Sequence, residues 1–375
     1  MKVRAAVLRE MGAERPYAAS RPLAIETVEL DDPGPGELLV RVRAAGLCHS
    51  DLSVIDGSRP RAMPMALGHE AAGEVIATGP DPGGFAPGDH VVLAFVPACG
   101  GCGPCRAGRA ALCEPGAAAN AAGTLLGGER RLHHPELDPL NHHLGVSAFS
   151  DHIVVAAASA VQVDPELPFE LAALFGCAVL TGVGAAVNAA RIEPGQSVAV
   201  FGLGGVGLSA LLGAVLSEAD PIIAVDVVAE KLELALELGA THSIAAGPDV
   251  VAEVAEITGG GADHAIETVG SARVLADAYA ATRRGGETTT VGLPDPDQKL
   301  EIAAVSLVAE ERTLRGSYLG SSVPARDLPR FIDLHRAGRL PVERLLSHRL
   351  ALDEVNEGFD RLAAGVAVRQ AIVFG

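Results

Sequence analysis

The chain of 375 residues is short of positive charge: 29 lysines and arginines stand against 47 aspartates and glutamates, which gives a formal net charge of -18. This balance argues against nucleic acids and anionic membrane surfaces as partners, because both carry dense negative charge. The sequence also lacks an uninterrupted apolar run of the about 18 residues that cross a bilayer. Its first residues alternate charged and apolar side chains and lack the apolar core of a signal peptide. We therefore expect a soluble, cytoplasmic protein.

Cysteine is scarce as well, but four of the six cysteines stand close together. Cys99, Cys102, Cys105 and Cys113 follow the spacing C-x2-C-x2-C-x7-C, and the glycines between them allow tight turns that aim backbone N–H groups at sulfur. Four thiolates suit a tetrahedral zinc ion and leave no position open for a substrate, so the cluster predicts a structural zinc site. Disulfide bonds and an iron–sulfur cluster are the alternatives, although a reducing compartment disfavours the first.

The length exceeds what a single hydrophobic core normally organises, so two domains are expected. Residues 1–178 predict a β-rich domain, with short apolar strands between Pro/Gly clusters. Within it, residues 114–145 are rich in Ala, Gly and His and predict a long loop over a pocket. Strand and helix patterns alternate over 179–322, which predicts a doubly wound parallel sheet. Residues 323–375 predict two helices and a last strand that returns to the first domain.

A glycine-rich turn follows the first strand of the second domain. The turn reads G-x-G-x-x-G (Gly202, Gly204, Gly207), and Asp226 ends the next strand 19 residues after the last glycine. In a dinucleotide site the first glycine permits a tight turn, the second lets the backbone approach the pyrophosphate, and the third allows close helix–strand packing. The helix N-terminus donates to the phosphates. An acid at the Asp226 position accepts the ribose hydroxyls and repels a 2′-phosphate, so the predicted cofactor is NAD and not NADP.

The two remaining cysteines, Cys48 and Cys177, are widely separated, and His69 lies between them in the sequence G-H-E-A-A-G. Two thiolates and one imidazole with a fourth position open form a ligand set of catalytic zinc. Each of these residues alone is more readily interpreted as part of a core. Their occurrence together with the four-cysteine cluster and the dinucleotide motif favours a second metal site.

Together these motifs resemble those of the zinc-dependent medium-chain alcohol dehydrogenases, over nearly the whole chain. The resemblance rests on G-H-E-x-x-G, the four-cysteine cluster, G-L-G-G-V-G with Asp226, and Cys177. It implies an α/β protein with a GroES-like catalytic domain, 1–178 completed by 323–375, and a Rossmann NAD-binding domain, 179–322. It also implies one catalytic and one structural zinc ion per chain, and a homodimer or homotetramer.

The resemblance further assigns roles to single residues. It implies that Cys48, His69 and Cys177 hold the catalytic zinc, that Glu70 can approach the metal, and that Asp51 orients the imidazole. Ser50 matches the hydroxyl that takes the alcohol proton. Ser53 stands where some members carry a histidine that relays this proton, and the alternatives for that relay are four histidines of the 114–145 segment, namely His133, His134, His142 and His143. The residues that match cofactor contacts are His49, Thr181, Gly202, Gly204, Gly205, Val206, Gly207, Asp226, Lys231, Val269, Val291 and Arg369.

The predicted reaction is hydride transfer between a small-molecule alcohol and NAD, giving an aldehyde or ketone, with zinc as a Lewis acid. Phe95, Leu144 and the 114–145 segment are expected to line an apolar pocket, which favours an apolar primary alcohol. A thiol-adduct formaldehyde dehydrogenase is the alternative enzyme, because C-H-S-D at 48–51 resembles the glutathione-dependent class. Ala117 and Arg59, however, stand where that class carries an arginine and an acid. A non-catalytic NAD-binding protein is the alternative outside the enzymes, whereas the metal ligands disfavour a zinc-free reductase.

Overall fold

The computed structural model describes residues 1–137 and 139–375. In chain order its strands are β1 (Lys2–Leu8), β2 (Leu23–Leu30), β3 (Glu37–Gly46), β4 (Met65–Ala66), β5 (Glu70–Thr78), β6 (His90–Leu93), β7 (Leu132–His133), β8 (Asn141–His142), β9 (His152–Ala156), β10 (Ala160–Val163), β11 (Val198–Phe201), β12 (Ile222–Asp226), β13 (His242–Ala245), β14 (Ala262–Glu267), β15 (Thr282–Thr290), β16 (Thr313–Gly316), β17 (Leu346–Leu350) and β18 (Arg369–Val373). The α-helices are α1 (Tyr17–Ser20), α2 (His49–Ile55), α3 (Gly103–Arg106), α4 (Glu114–Ala122), α5 (Phe169–Leu174), α6 (Leu180–Gly184), α7 (Gly205–Leu216), α8 (Ala229–Glu237), α9 (Val250–Thr258), α10 (Ala272–Ala281), α11 (Ala304–Ala309), α12 (Pro324–Arg336) and α13 (Val355–Ala363). Short 3-10 turns lie at Ala110–Leu112, Ala157–Ser159, Leu319–Ser321, Val342–Leu345 and Leu352–Glu354, and π-helical segments lie at Phe175–Val179 and Ala185–Ala190.

The chain divides into two units. Unit 1 comprises Met1–Cys177, Val323–Ile332 and Leu346–Gly375, and unit 2 comprises Ala178–Ser322 and Asp333–Leu345. This division differs from the predicted one at Asp333–Leu345, which we expected in the first domain. The turn Val342–Leu345 packs on α7 of unit 2, and Leu345 is fully buried. The segment belongs to unit 2 because this short turn is buried there. The sequence contains no periodic pattern that would predict this burial.

Unit 1 is built on two sheets. One has the strand order β7-β2-β1-β4-β8, and the other has the order β10-β6-β5-β3-β18-β17, with β9 also paired to β3. Strand pairs are antiparallel apart from β4/β8 and β17/β18. A core cluster with Leu8, Val40, Phe149 and Phe359 joins β1 of the first sheet to β3 of the second. This arrangement is the predicted β-rich domain, completed by a strand from the end of the chain.

Unit 2 contains a single six-stranded sheet in the order β13-β12-β11-β14-β15-β16 among the residues that the structure describes. Every neighbouring pair in it is parallel. The buried apolar residues of these strands, such as Phe201, Ile223 and Ala265, form its core. The strand order reverses between β11 and β14, and ligands of such sheets bind outside the carboxyl ends of the strands at this point. The predicted doubly wound parallel sheet is confirmed.

A continuous helical run, Phe169–Ala190, carries the chain from unit 1 into unit 2. By length and composition it could cross a membrane, yet 83% of its most apolar 18-residue window is buried inside the protein. A helix that is apolar all round and buried is typical of the core of a large protein. The search of the sequence for an uninterrupted apolar run did not find this helix, because the polar residues Glu170 and Thr181 interrupt it.

Residues 114–145 do not form the long loop that we expected. They contain α4 and the short strands β7 and β8, while residue 138 lies outside the described residues. The Cys113 sulfur accepts the N–H of Gly116 at 3.4 Å, and Pro115 occupies the first turn of α4. Because α4 consists almost entirely of small residues, its sequence carries little helical periodicity.

Candidate active site

The first donor cluster of unit 1 combines Cys48, His69, Glu70 and Cys177. Their ligand atoms all lie within 4.8 Å of one another, and all four residues are buried. Cys48 directly precedes α2, His69 directly precedes β5, and Cys177 lies in the π-helical segment at Phe175–Val179. The fold of unit 1 therefore brings together residues that are distant in the sequence. Cys48 and Cys177, for example, are 129 positions apart.

Asp51 fixes the orientation of His69. It lies in the first turn of α2, is fully buried, and its Oδ1 accepts hydrogen bonds from His69 Nδ1 at 3.0 Å and from the N–H of Gly68 at 3.2 Å. Its Oδ2 accepts the N–H of Cys48 at 3.2 Å. The proton of the His69 ring is thereby held on Nδ1, and Nε2 is left buried without a hydrogen-bond partner among residues 1–137 and 139–375. A metal ion held by Cys48 and Cys177 would supply that partner, so the donor set fits zinc.

The cluster concentrates charge in a buried place. Although burial disfavours the carboxylate, His69 and His143 hold the pKa of Asp51 well below its usual range. Burial likewise opposes the imidazolium, but the charges of Asp51 and Cys48 raise the pKa of His69. The hydrogen bond between the two thiols lowers the pKa of Cys48 and raises that of Cys177. Cys48 is therefore the more acidic thiol, and the thiolate is the form that binds a metal.

Glu70 and Arg369 form a buried pair beside the thiols. Burial raises the pKa of Glu70 to about 8, although the Arg369 charge opposes the shift. Arg369, the first residue of β18, donates from Nη2 to Glu70 Oε2. The other oxygen of Glu70 lies 3.9 Å from His69 Nε2, and its approach to a metal stays a prediction. In the described chain Arg369 Nε has no hydrogen-bond partner, so the guanidinium keeps a donor for an anion.

The second donor cluster consists of Cys99, Cys102, Cys105 and Cys113, whose sulfur atoms lie within 4.8 Å of one another. Backbone N–H groups face these sulfurs: Cys102 donates to Cys99 and Cys99 donates to Cys113, each at 3.3 Å. Contact with backbone N–H groups, chiefly that of Cys105, lowers the pKa of Cys102 to about 7. All six cysteines of the chain are free thiols, so the disulfide alternative does not hold in this structure.

The glycine-rich turn of unit 2 joins β11 to α7. Gly202 has a φ of 88°, and a Cβ on Gly207 would lie 1.8 Å from the carbonyl oxygen of Gly202, so both positions require glycine. A Cβ on Gly204 would meet no atom of the described residues within 4 Å. The backbone there is open to close approach, as a pyrophosphate requires. Gly205 and Val206 form the first turn of α7, whose N–H groups are donors for an anion.

Asp226 ends β12 and braces the turn. Its Oδ2 accepts the N–H of Leu203 at 2.6 Å, and its Oδ1 accepts the N–H of Val228 at 2.9 Å. This bracing was not part of the sequence prediction. A carboxylate has about four lone-pair sites, so both oxygens can still accept a ribose hydroxyl. Lys231, in the first turn of α8, is partly exposed.

The remaining residues predicted to contact the cofactor fall in both units. In unit 2, Val269 follows β14 and is 53% exposed, Val291 follows β15, and Thr181 is buried in α6. Because β11, β14 and β15 are consecutive parallel strands of the sheet, their carboxyl ends share the edge where the glycine-rich turn lies. In unit 1, His49 is exposed and Ser50 partly exposed in the first turn of α2. The contacts of these residues with a cofactor or substrate stay predictions.

The structure places His143 next to Asp51 and His69, a position that the sequence did not predict. The Nδ1 of His143 lies 3.1 Å from Asp51 Oδ1, and its ring stands edge-on to that of His69 at a centroid distance of 5.4 Å. Phe95 meets His69 in the same way, also at 5.4 Å. The other three histidines of the 114–145 segment contact Asp31, Glu26 and the backbone N–H of Arg131. No periodicity or spacing links residue 143 to residue 51, so sequence patterns alone could not single it out.

Comparisons with known proteins agree with this geometry. A family model described as "Alcohol dehydrogenase GroES-like domain" matches residues 34–165, and one described as "Zinc-binding dehydrogenase" matches residues 205–336. Geraniol dehydrogenase of Castellaniella defragrans is 40% identical over 100% of this chain and 98% of its own length. S-(hydroxymethyl)glutathione dehydrogenase of Paracoccus denitrificans is 33% identical over the full length of both chains.

A solved structure is similar throughout. The crystal structure of benzyl alcohol dehydrogenase from Acinetobacter calcoaceticus matches with a TM-score of 0.92 and 33% identity, over 100% of both chains. Fold, donor clusters and relatives lead to one family. The chain belongs to the zinc-dependent medium-chain alcohol dehydrogenases, the oxidoreductases that interconvert small alcohols and aldehydes with zinc and NAD.

Proposed function

We propose that this enzyme transfers a hydride between an apolar primary alcohol and NAD at the metal site formed by Cys48, His69 and Cys177. The observation that carries the proposal is the buried cluster in which His69 Nε2 faces two thiols without a hydrogen-bond partner among the described residues. Zinc bound there supplies Lewis-acid catalysis, which lowers the pKa of the bound hydroxyl group. A second zinc ion, held by the four-cysteine cluster, is proposed to be structural because its four ligands leave no open position.

The chain's own residues prepare this site. Asp51 keeps the His69 proton on Nδ1, so that Nε2 presents its lone pair. The positive charge of Arg369 lies beside Glu70 and the two thiols, buried away from water, and it favours the carboxylate and thiolate forms of these groups. Ser50 lies two residues after Cys48 in the first turn of α2, and we assign to its hydroxyl the acceptance of the alcohol proton.

For unit 2 we propose the cofactor contacts that the family pattern implies. The turn Gly202–Gly207 would hold the pyrophosphate, and Asp226 with Lys231 the adenosine ribose. The open backbone at Gly204 and the reversal of strand order beside β11 support this place. We propose that branched side chains surround the nicotinamide, namely Thr181, Val206, Val269 and Val291. For the pyrophosphate we propose contacts with His49 and Arg369 of unit 1.

Apolar surroundings at the metal site support the choice of alcohol. The Phe95 ring lies against the His69 ring, and Leu144 next to His143 is buried. The names of two relatives, geraniol dehydrogenase and benzyl alcohol dehydrogenase, support the same class of substrate. The thiol-adduct alternative is supported by the relative named S-(hydroxymethyl)glutathione dehydrogenase. Against it, Ala117 is exposed on α4 without a basic group, and Arg59 brings the wrong charge for the amine of glutathione.

We therefore expect benzyl alcohol and long-chain primary alcohols to be oxidised with NAD in the absence of any thiol. Losing a charge-assisted pair to a glutathione carboxylate forfeits about 1.5–3 kcal/mol, so adding glutathione should not accelerate formaldehyde oxidation. The measurement is the initial rate of NADH formation with each substrate, with and without glutathione. Activity that appears only with formaldehyde and glutathione together would favour the thiol-adduct enzyme instead.

Two exposed features of unit 2 support assembly through this unit. β16 is an edge strand of the sheet, and α11 exposes Val305 by 70% and Val308 by 82%. An open sheet edge and neighbouring apolar side chains favour covering by another chain. We propose that residues 300–305 and 313–319 pair two chains into a homodimer, and that two such dimers can form a homotetramer.

Light scattering at micromolar concentration should then give twice or four times the mass of one chain. Val305→Asp should shift the protein to the monomer, because it places a charge in the proposed interface. Val366→Asp is the matched control: Val366 is also exposed, at 65%, but belongs to unit 1. A monomer for the unmodified protein, or equal dissociation by both variants, would contradict the interface.

A further inference from the structure

His143 occupies a fixed place beside the metal site. It directly follows β8, which lies parallel to β4, so His143 runs beside the residues that connect β4 to His69. After a tight turn the chain comes back along the same residues, and the N–H of Ala148 donates to the carbonyl of Gly68 at 3.0 Å. The segment that carries His143 is thus bonded to the residue just before His69.

The turn itself leaves the His143 backbone little freedom. Its N–H donates to Ser147 Oγ at 2.9 Å, and its carbonyl accepts the N–H groups of Val146 at 3.0 Å and Ser147 at 3.2 Å. Leu144 and Ser147 have φ values of 52° and 55°, in the left-handed region that residues other than glycine avoid. A conformation of this kind persists only where its surroundings determine it, and it clusters at functional sites.

The side chains of His143 and His69 both contact the same carboxylate oxygen, Oδ1 of Asp51. The Nδ1 of His143 lies 3.1 Å from Asp51 Oδ1, the oxygen that also accepts the His69 Nδ1 proton at 3.0 Å. The N–H angle is too sharp for a hydrogen bond, so neither ring nitrogen has a hydrogen-bond partner within the described chain and the contact with Asp51 is a close electrostatic one. All three side chains are at most 1% exposed, so water does not compete for the carboxylate.

We propose that His143 is a positioning residue of the metal site: its Nδ1 edge, 3.1 Å from Asp51 Oδ1, holds the carboxylate by electrostatic attraction and through it the orientation of His69. The inference rests on the proposed function, in which His69 binds zinc. A buried carboxylate needs hydrogen-bond donors on every side, and the loss of one leaves it less compensated. Partners of this outer kind are typically worth 10- to 100-fold in metal affinity or activity. The role requires an N–H donor at the position of Nδ1, so a planar ring without one cannot perform it.

The test compares two variants of the zinc-loaded, full-length enzyme. His143→Phe keeps a planar ring and removes the donor, whereas His143→Asn places an amide N–H near the position of Nδ1. We expect His143→Phe to lose the catalytic zinc to a chelator at a concentration about 10- to 100-fold lower, and to lower kcat more than it changes KM. His143→Asn should restore most of the zinc retention. The visible absorption of the cobalt-substituted enzyme should change with phenylalanine and return with asparagine.

His133→Phe is the matched control, because His133 belongs to the same segment but contacts Asp31 instead. Thermal unfolding and NADH binding show whether each variant is folded. If His143→Phe does not fold, His143→Gln replaces it, since its longer side chain carries the amide away from the Nδ1 position. Unchanged zinc retention and an unchanged cobalt spectrum in His143→Phe would overturn the proposal, as would loss of zinc in His143→Asn to the same degree. A failure of the proposed function is seen separately, as a missing catalytic zinc in the unmodified protein.

Discussion

Replacing Cys177 by alanine is expected to leave about one zinc ion per chain and to lower kcat/KM for an alcohol by roughly four orders of magnitude. Cys177 is one of the three proposed ligands, and it lies in a buried cluster with Cys48 and His69. A Lewis acid contributes several kcal/mol to transition-state stabilisation, and about 5 kcal/mol corresponds to that loss in rate. The protein should stay folded, because the four-cysteine cluster is untouched. Metal analysis, initial rates and thermal unfolding together measure the outcome.

Cys105→Ala is the matched variant in the other cluster, and it should show the opposite pattern. Structural zinc contributes free energy of folding directly, so losing one of its ligands should lower the unfolding temperature. The activity of the fraction that stays folded should change far less than in Cys177→Ala. A single zinc ion in the unmodified protein, or full activity of Cys177→Ala, would contradict the assignment of the two clusters.

The unmodified enzyme should prefer NAD to NADP in kcat/KM by about tenfold to a hundredfold. Asp226 accepts hydrogen bonds as an anion, and its charge repels a 2′-phosphate. Asp226→Asn removes the charge but keeps an oxygen that can accept the N–H of Leu203, so this variant should lose discrimination while its glycine-rich turn stays in place. Asp226→Gly removes the brace as well, and it should also lose affinity for NAD and unfold at a lower temperature.

Two measurements on the Asp226 variants distinguish the effects of this residue. Kinetics with NAD and NADP report the effect of its charge, and thermal unfolding reports its stabilisation of the glycine-rich turn. Equal kcat/KM with NAD and NADP in the unmodified enzyme would count against the role of Asp226. Equal unfolding temperatures for the asparagine and glycine variants would show that the bond to Leu203 does not stabilise the turn.

The parts of the molecule that could be predicted are those that depend on short-range patterns. The four sulfurs of the cysteine cluster come from 15 consecutive residues, 99–113, so their spacing alone predicts a common centre. The glycines of the turn and Asp226 are fixed by the ends of two neighbouring strands, β11 and β12, which the apolar runs mark. In these cases the local sequence and the tertiary structure require the same residues.

The parts that could not be predicted depend on contacts between distant segments. His143 meets Asp51 because β8 pairs with β4, and a two-residue strand leaves no periodic signal. Helix α4 lies in a stretch of small residues that has little amphipathic pattern. Its start is set by the N-terminal cap that Cys113 supplies. Asp333–Leu345 belongs to unit 2 because its apolar side chains find their burial there. Tertiary packing overrides the local pattern at each of these places.

The pairing of Glu70 with Arg369 has a consequence for how the protein is made. The two residues are 299 positions apart, and at about 5–20 residues per second a ribosome needs roughly 15–60 s to travel from one to the other. During this time Ala178–Ser322 leaves the ribosome and can fold as a unit, while β3 waits for β18. Until β18 is added, the carboxylate of Glu70 lacks its cation. The charge balance of the metal centre is therefore among the last features of unit 1 to be completed during synthesis.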